Sequence, residues 1–105
     1  FGHAVVPMDE ALALVAVDLG GRPHAALDLA FDRDDIGQLP AENIQHFLAA
    51  FAQEGRLNLH ARLLSGANDH HRAEAVFKAL ARALAAAVAL DPRIADQVPS
   101  TKDVL

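Results

Sequence analysis

The residues with the clearest chemical potential lie at positions 67–80, in the segment ANDHHRAEAVFKAL. His70 and His71 are adjacent, and Glu74 and Lys78 follow at helical spacing. Imidazole nitrogen and carboxylate oxygen suit manganese, iron or zinc, and side chains three or four residues apart on a helix are close enough to bind one ion. Because adjacent helical side chains diverge by about 100°, His70 and His71 are predicted to serve two different metal ions.

Two interpretations of these histidines remain open. Short motifs recur by chance, so the segment could also be a solvated polar face without a ligand. His46 faces away from the apolar stripe of its own predicted helix, so it is either merely exposed or part of a site that another chain completes. His60, on the outer side of a predicted strand, is more readily a structural or interfacial residue than a ligand, because it has no partner motif.

Two other segments carry weaker signals. In PMDEAL, Asp9 and Glu10 stand at the entry of a strand, where they would be a capping acid or a surface pair. In PSTK, Ser100 and Lys102 offer a hydroxyl and an ammonium that would hold a phosphate or have no function. Neither segment is specific on its own.

The N-terminal third is predicted to form a β-hairpin. In residues 10–18, EALALVAVD, alanine and leucine favour a helix, but two valines and the following LGGRP favour a strand that enters a tight turn. Gly20 and Gly21 can form that turn, and the next residues alternate as a strand should. One face of that second strand is apolar and is formed by Ala25, Leu27, Leu29 and Phe31.

The remaining chain is predicted to contain two helices and a further strand. Residues 32–40 read as a surface loop, and an i, i+3, i+4, i+7 stripe predicts a helix over residues 41–54 that ends at Gly55. The stripe consists of Ile44, Phe47, Leu48 and Phe51. The alternating segment RLNLHARLL predicts a half-buried strand.

The second helix is predicted to begin with Asn68 or Asp69 as its N-cap and to run to about Leu90. Asp91 and Pro92 would end it. A helical wheel assigns four residues to its core face: Ala73, Phe77, Leu80 and Leu84. The order of elements predicts an α+β fold, a two-layer α/β sandwich with both helices on one face of a mainly antiparallel sheet.

Composition limits the classes of function. A chain of 105 residues is the length of one domain, and its formal net charge of −5 disfavours a nucleic-acid backbone binder. The sequence has no cysteine, which suits a reducing cytoplasm, and no apolar stretch of about 18 residues that could span a membrane. The chain starts with Phe1 in what looks like mid-protein sequence, so a fragment or a processed chain is expected.

Five segments, taken in order, resemble the second half of imidazoleglycerol-phosphate dehydratase, an enzyme family of histidine biosynthesis. The segments are FGHAVVPMDEAL, VDLGGRP, HFL, LNLHARLLSGANDHHRAEAVFKALARAL and PSTK. The resemblance implies a duplicated fold in which each half is a βββαβα-type, ribosomal protein S5 domain 2-like unit. Residues 1–105 would be the second, C-terminal repeat, with residues 92–105 as a C-terminal arm. It also implies trimers that assemble into a 24-mer with active sites between subunits.

The resemblance implies specific metal ligands and catalytic residues. His70, His71 and Glu74 match the HHxxE ligands, and His46 matches the metal-binding histidine of the preceding helix. Two Mn²⁺ ions per complete active site would be shared with other chain segments. Glu74 and Glu10 are the implied catalytic residues, and Glu10 matches an acidic motif near a metal or the imidazole.

The resemblance also implies a set of phosphate-binding residues. Arg22, Lys78, Ser100 and Lys102 match positions that bind the phosphate of imidazole glycerol phosphate. The family usually has glycine where this chain has Asp103, and an acid beside a phosphate-binding lysine weakens anion binding if it points inward.

The implied function is manganese-dependent dehydration of imidazole glycerol phosphate to imidazole acetol phosphate, with this chain supplying part of the active site. The missing half or symmetry-related chains would be its partners, so the chain alone is expected to have little or no activity. The alternative is a catalytically inactive, metal-linked assembly module. Binding to nucleic acid or to a membrane is not expected.

Overall fold

The computed structural model describes residues 1–89 and forms one α+β unit. Its strands and helices, in chain order, are β1 (Gly2–Met8), β2 (Ala11–Asp18), β3 (His24–Asp28), β4 (Asp35–Ile36), β5 (Leu39–Pro40), α1 (Ala41–Gly55), β6 (Asn58–Ser65) and α2 (Asp69–Val88). The predicted fold class is confirmed, and the order of the main elements matches the βββαβα-type unit that the resemblance implied. The residue patterns had not predicted β1. The predicted loop at residues 32–40 contains a small two-stranded sheet, β4–β5. The predicted C-terminal arm lies outside the described residues.

The main sheet has the strand order β1-β2-β6-β3. Its β1–β2 and β2–β6 pairs are antiparallel, whereas β3 runs parallel to β6. The predicted hairpin between the second and third strands is therefore wrong. Both edges of β2 are already paired, with β1 and β6, so the chain after Gly21 passes to the far side of β6 and returns through α1. The actual hairpin is β1–β2, and its turn contains Asp9 with a positive φ of 50°.

The core lies between the sheet and the two helices. Along β2 every second residue is buried, from Ala11 to Val17, and β6 buries Leu59 and Ala61 in the same way. Alternation is expected because successive side chains of a strand point to opposite faces. The other sheet face carries no helix among the described residues, and it exposes His60 and Arg62.

The first helix turns a narrower face to the core than predicted. Its buried residues are Ala41, Ile44, Leu48 and Ala52. Phe51 is partly buried and packs against the core, but Phe47 is 50% exposed, so the prediction of Phe47 as a core residue is wrong. The helix also includes Gly55, and the left-handed cap is Arg56, with φ 53° and ψ 45°. The backbone N–H of Arg56 bonds the free carbonyl groups of the last turn, so the cap forms one residue later than predicted.

The second helix packs through small residues. Its buried apolar residues are Ala75, Val76, Ala79, Leu80 and Ala83. Of the four predicted core residues, Leu80 is buried and Ala73 and Leu84 are partly buried against the core, whereas Phe77 is exposed, so the prediction is wrong for Phe77. Gly2 of β1 explains the choice: a Cβ at Gly2 would lie 2.5 Å from the carbonyl oxygen of Ala83. The lack of a side chain at Gly2 lets the backbone of Ala83, Ala86 and Ala87 approach β1 closely, whereas a helical wheel gives most weight to large apolar side chains.

Neither helix within residues 1–89 combines the length and the apolar character that crossing a membrane requires.

Candidate functional site

The histidine-rich start of α2 is fixed by a capping contact. Asn68 has an extended backbone, and its side-chain oxygen accepts a hydrogen bond of 3.0 Å from the backbone N–H of His71. This bond satisfies one of the N–H groups that have no partner within the helix. The predicted N-cap is confirmed as Asn68, and the first helical turn therefore presents Asp69, His70 and His71 in a defined order.

Asp69 ties this turn to the loop before β4. Its carboxylate accepts the backbone N–H groups of Asp32 at 3.0 Å and Arg33 at 2.8 Å, and Nη1 of Arg72 donates to it at 2.8 Å. Burial of Asp69 acts to raise its pKa, but these donors outweigh burial and the pKa lies below its ordinary value. Arg72 also donates to the carbonyl of Gly66 at 2.6 Å. The start of α2 is thus held from two sides.

Glu10, in the β1–β2 turn, reaches the same helix start. Its Oε2 accepts the backbone N–H groups of Ala67 at 2.8 Å and Asn68 at 3.0 Å, and its Oε1 lies 2.6 Å from Nδ1 of His71. The two backbone donors, followed by the His71 contact, lower the pKa of Glu10 to about 2. The carboxylate is therefore ionised at neutral pH and fixes the ring of His71.

His71 lies between two acids. Besides Glu10 at Nδ1, it has Oδ2 of Asp9 at 3.4 Å from Nε2. The hydrogen bond to Glu10 raises the pKa of His71, burial opposes this, and the charges of Glu10, Asp9 and Glu74 add to the increase. With Nδ1 engaged, Nε2 is the nitrogen that remains for a metal ion.

Glu74 connects the other polar residues of the helix. Its Oε2 lies 3.7 Å from Nε2 of His70, and its Oε1 lies 3.2 Å from Nζ of Lys78. The rings of His70 and His71 are nearly perpendicular, with centroids 6.5 Å apart. The polar stripe predicted from the sequence therefore exists, and the two histidines diverge within it.

The donor pairs have spacings that suit metal ions. Atoms bound cis on one ion at about 2.1 Å lie roughly 3.0–3.5 Å apart, and the His71–Asp9 pair, at 3.4 Å, already has this spacing. The His70–Glu74 pair, at 3.7 Å, needs only a small rotation. Within residues 1–89, however, no three His, Cys, Asp or Glu side chains converge on one point that would hold an ion. The described residues thus fit two partial metal sites.

Other predicted site residues lie outside this cluster. His46 is exposed on α1, and no hydrogen bond or ion pair in residues 1–89 joins it to α2. Arg22 lies beyond the far end of β2, where it lines a surface pocket with Asp18, Gly20, His24 and Asn58. The eight residues of β2 separate it from Glu10 by roughly 25 Å. Ser100 and Lys102 are outside the described residues.

Sequence reasoning assigned no function to two features of this site. Asp9 was noted only as a surface or capping acid, and its distance to His71 depends on the left-handed turn. The Asp69–Arg72 pair was missed, although its i, i+3 spacing is a recognisable signal for an intrahelical ion pair.

Comparison with known proteins identifies the family. The family model described as imidazoleglycerol-phosphate dehydratase matches residues 1–84. A relative of that name from Dehalococcoides mccartyi is 59% identical over 97% of this chain and 52% of its own length. Another from Granulibacter bethesdensis is 50% identical over 100% of this chain and 54% of its own length.

Two solved structures of the same family resemble this chain in fold. The crystal structure of imidazoleglycerol-phosphate dehydratase from Staphylococcus aureus matches with a TM-score of 0.83 and 38% identity, over 86% of this chain and 53% of that one. The enzyme from Pyrococcus furiosus matches with a TM-score of 0.84 and 39% identity, over 100% of this chain and 57% of that one. The chain thus spans about half the length of the curated relatives it matches. The resemblance found in the motifs is confirmed: the chain belongs to the imidazoleglycerol-phosphate dehydratase family.

Proposed function

We propose that this chain supplies part of the active site for manganese-dependent dehydration of imidazole glycerol phosphate to imidazole acetol phosphate, a step of histidine biosynthesis in the cytoplasm. One observation carries the proposal: the first turns of α2 present His70, His71, Glu74 and Lys78 together. Nε2 of His70 lies 3.7 Å from Glu74, and Nε2 of His71 lies 3.4 Å from Asp9 of the β1–β2 turn. The relatives' name and the family match supply the reaction.

In this proposal His70, His71, Glu74 and His46 hold two Mn²⁺ ions together with residues of other chain segments. Imidazole and carboxylate are suitable donors for this ion. Bound manganese would stabilise negative charge that develops on the substrate's imidazole during loss of water. Two divergent histidines on one helix fit two ions better than one, because their rings are nearly perpendicular.

In this proposal the other polar residues orient a metal ligand or bind the phosphate of the substrate. Glu10 fixes the ring of His71 through Nδ1, so that Nε2 points to one metal site; we assign it as a positioning residue. Lys78, half-exposed and one turn after Glu74, is placed to attract the phosphate of the substrate. Arg22, Ser100 and Lys102 are the proposed further phosphate ligands, and Glu74 combines metal binding with a catalytic position beside the substrate.

The proposed site is completed by another chain. Arg22 and the α2 cluster are roughly 25 Å apart on this chain, too far to hold one small substrate. The missing ligands would come from the other half of the dehydratase or from symmetry-related chains in a trimer-based 24-mer. The isolated chain is therefore expected to bind manganese weakly and to turn over little substrate.

The test measures manganese content and turnover of the purified chain, with and without a separately supplied first half of a relative. We expect turnover only in the mixture. His71→Ala and Glu74→Ala should lower bound manganese by about tenfold or more, since removing a ligand or its orienting partner typically costs that much affinity.

His60→Ala is the matched control, because His60 is an exposed histidine on the open sheet face. Its manganese content should equal that of the unmodified chain. Strong turnover by the isolated chain, or full manganese content in both α2 variants, would refute the proposal.

A second candidate function is a catalytically inactive module that metal ions link into assemblies. The incomplete ligand sets favour it, because two-donor sites at a surface can be completed by a neighbouring copy. Sizing the chain with manganese and with chelator tests this: a metal-dependent oligomer without turnover, even with the first half supplied, would support it over the enzyme.

A further inference from the structure

The open face of the sheet carries two histidines on neighbouring strands. His24 is the first residue of β3, and His60 lies in β6, which runs parallel to β3. Their rings are tilted by 55° to each other, with centroids 6.0 Å apart. The two residues are far apart in the chain, so the crossover through α1 is what brings them together. We call His24 and His60 the open-face pair.

The register of the sheet places both side chains on the same face. His24 pairs with Asn58, and His60, two positions further along β6, pairs with Ala26. The two histidines are therefore diagonal neighbours, because every second side chain of a strand points to the same side. On its other side, His60 pairs with Ala16 of β2. The small side chains on both sides leave its ring room to turn toward His24.

The rings of the open-face pair differ from those of the α2 cluster in what surrounds them. Both side chains are exposed, and no hydrogen bond or ion pair among residues 1–89 engages either ring. In the α2 cluster, His70 lies near the carboxylate of Glu74, and His71 lies near that of Glu10. The open-face pair thus offers two nitrogen donors that no carboxylate engages.

The separation of the open-face pair suits one zinc ion. Imidazole nitrogen binds Zn²⁺ at about 2.0–2.1 Å, so two rings on one tetrahedral ion have centroids roughly 5 Å apart. Rotation of the exposed side chains closes the remaining distance of about 1 Å. Manganese is not expected here, because Mn²⁺ binds most weakly in the divalent series and favours oxygen donors, whereas imidazole suits zinc.

We propose that the open-face pair is a zinc-binding site in which His24 and His60 supply two nitrogen ligands. Within residues 1–89 no third His, Cys, Asp or Glu converges with them, so water fills the other positions of the tetrahedral ion. Asp18 and Arg22 both line the pocket beside His24, and their opposite charges offset each other. The bound ion ties β3, an edge strand of the described sheet, to β6.

The test is a zinc titration of the full 105-residue chain, followed by NMR of the histidine ring protons. NMR resolves each histidine, so zinc bound at the α2 cluster does not obscure the open-face pair. We expect the rings of His24 and His60 to shift along one binding curve with one dissociation constant. His24→Ala should raise the dissociation constant at His60 by about tenfold or more, and His60→Ala that at His24, because two-point binding becomes one-point binding.

His3→Ala is the matched control for these variants. His3 is also an exposed histidine of the open face, but Ala16 of β2 lies between it and His60. Its loss should leave the shared binding curve unchanged. Circular dichroism verifies that each variant is folded.

Three outcomes would overturn the proposal. They are no shift of either ring up to roughly 1 mM zinc, rings that titrate along separate curves, or a His60 curve that His24→Ala leaves unchanged. The site uses none of the proposed manganese ligands, and the titration measures neither manganese binding nor turnover. Its failure is therefore distinguishable from failure of the proposed dehydratase function.

Discussion

Glu10 orients the side chain of His71, because its Oε1 lies 2.6 Å from Nδ1 of the histidine ring. Glu10 could have been a solvated acid at a turn, but three contacts direct it to the start of α2. The backbone N–H groups of Ala67 and Asn68, followed by His71, lower the pKa of Glu10 to about 2, and the hydrogen bond to Glu10 raises the pKa of His71. The ring of His71 is thereby oriented before any ligand binds.

This pair predicts a pH dependence of stability in the metal-free chain. Glu10 has an ordinary pKa of 4.5 and about 2 when folded, so its contribution is complete above 4.5 and is lost as the pH falls toward 2. His71 has a raised pKa, so its contribution is complete below its ordinary value of 6.5 and is lost as the pH rises through the folded value. The stabilisation is therefore largest between about pH 4.5 and 6.5.

Urea unfolding of the unmodified chain and of Glu10→Gln across pH 3 to 9 measures this effect. The difference in free energy of unfolding should peak in that window and shrink on both sides. Glu54→Gln, an exposed acid at the end of α1, should show no such peak. A difference that does not vary with pH would mean that the Glu10–His71 contact adds nothing to stability.

At the scale of elements, Asp69 joins the loop before β4 to the first turn of α2. It is the buried charged residue of the described chain, 7% exposed, and it accepts hydrogen bonds from two backbone N–H groups and from the Arg72 side chain. We expect Asp69→Ala to destabilise the fold by about 2–4 kcal/mol, because two backbone N–H groups and the Arg72 guanidinium would lose their acceptor. Urea unfolding measures the loss.

Asp34→Ala is the matched control for this prediction. Asp34 is an exposed acid in the same loop, and its backbone carbonyl, which accepts from Ala41, is retained in the variant. Its free energy of unfolding should change by less than about 0.5 kcal/mol. A loss below about 1 kcal/mol in Asp69→Ala would show that the loop is held by other contacts.

At the scale of the whole molecule, the predicted phosphate ligand Arg22 lies far from the predicted phosphate ligand Lys78 in the α2 cluster. Arg22 and the α2 cluster lie near opposite ends of β2, so they belong to different sites unless chains assemble. We expect Arg22→Ala to leave manganese content unchanged and the free energy of unfolding within about 0.5 kcal/mol, since Arg22 is exposed. Turnover with the first half supplied should fall by about tenfold or more, because a charge-assisted phosphate contact is lost. Reduced manganese content in this variant would contradict the separation.

The sequence by itself determined the family, the fold class, both helices, the strands β2, β3 and β6, and the polar stripe of α2. These follow from local signals: collinear motifs, strand alternation, helical spacing and the Asn68 cap, none of which needs knowledge of distant contacts. Phe47 and Phe77 show where such signals end. Their spacing is that of a core stripe, yet both side chains are exposed. Spacing indicates that a helix face is apolar, but it does not indicate whether that face packs against the sheet.

Tertiary structure alone decided which face meets the sheet and which strands pair. Gly2 lets the backbone of α2 approach β1 closely at Ala83 and Ala87, and the buried face of the helix there consists mainly of small residues. The parallel β3–β6 pairing likewise depends on residues about 34 positions apart, such as His24 and Asn58, which no turn signal encodes. The same long-range packing brings Asp9 and Glu10 to His71, and it leaves Arg22 at the far end of the sheet.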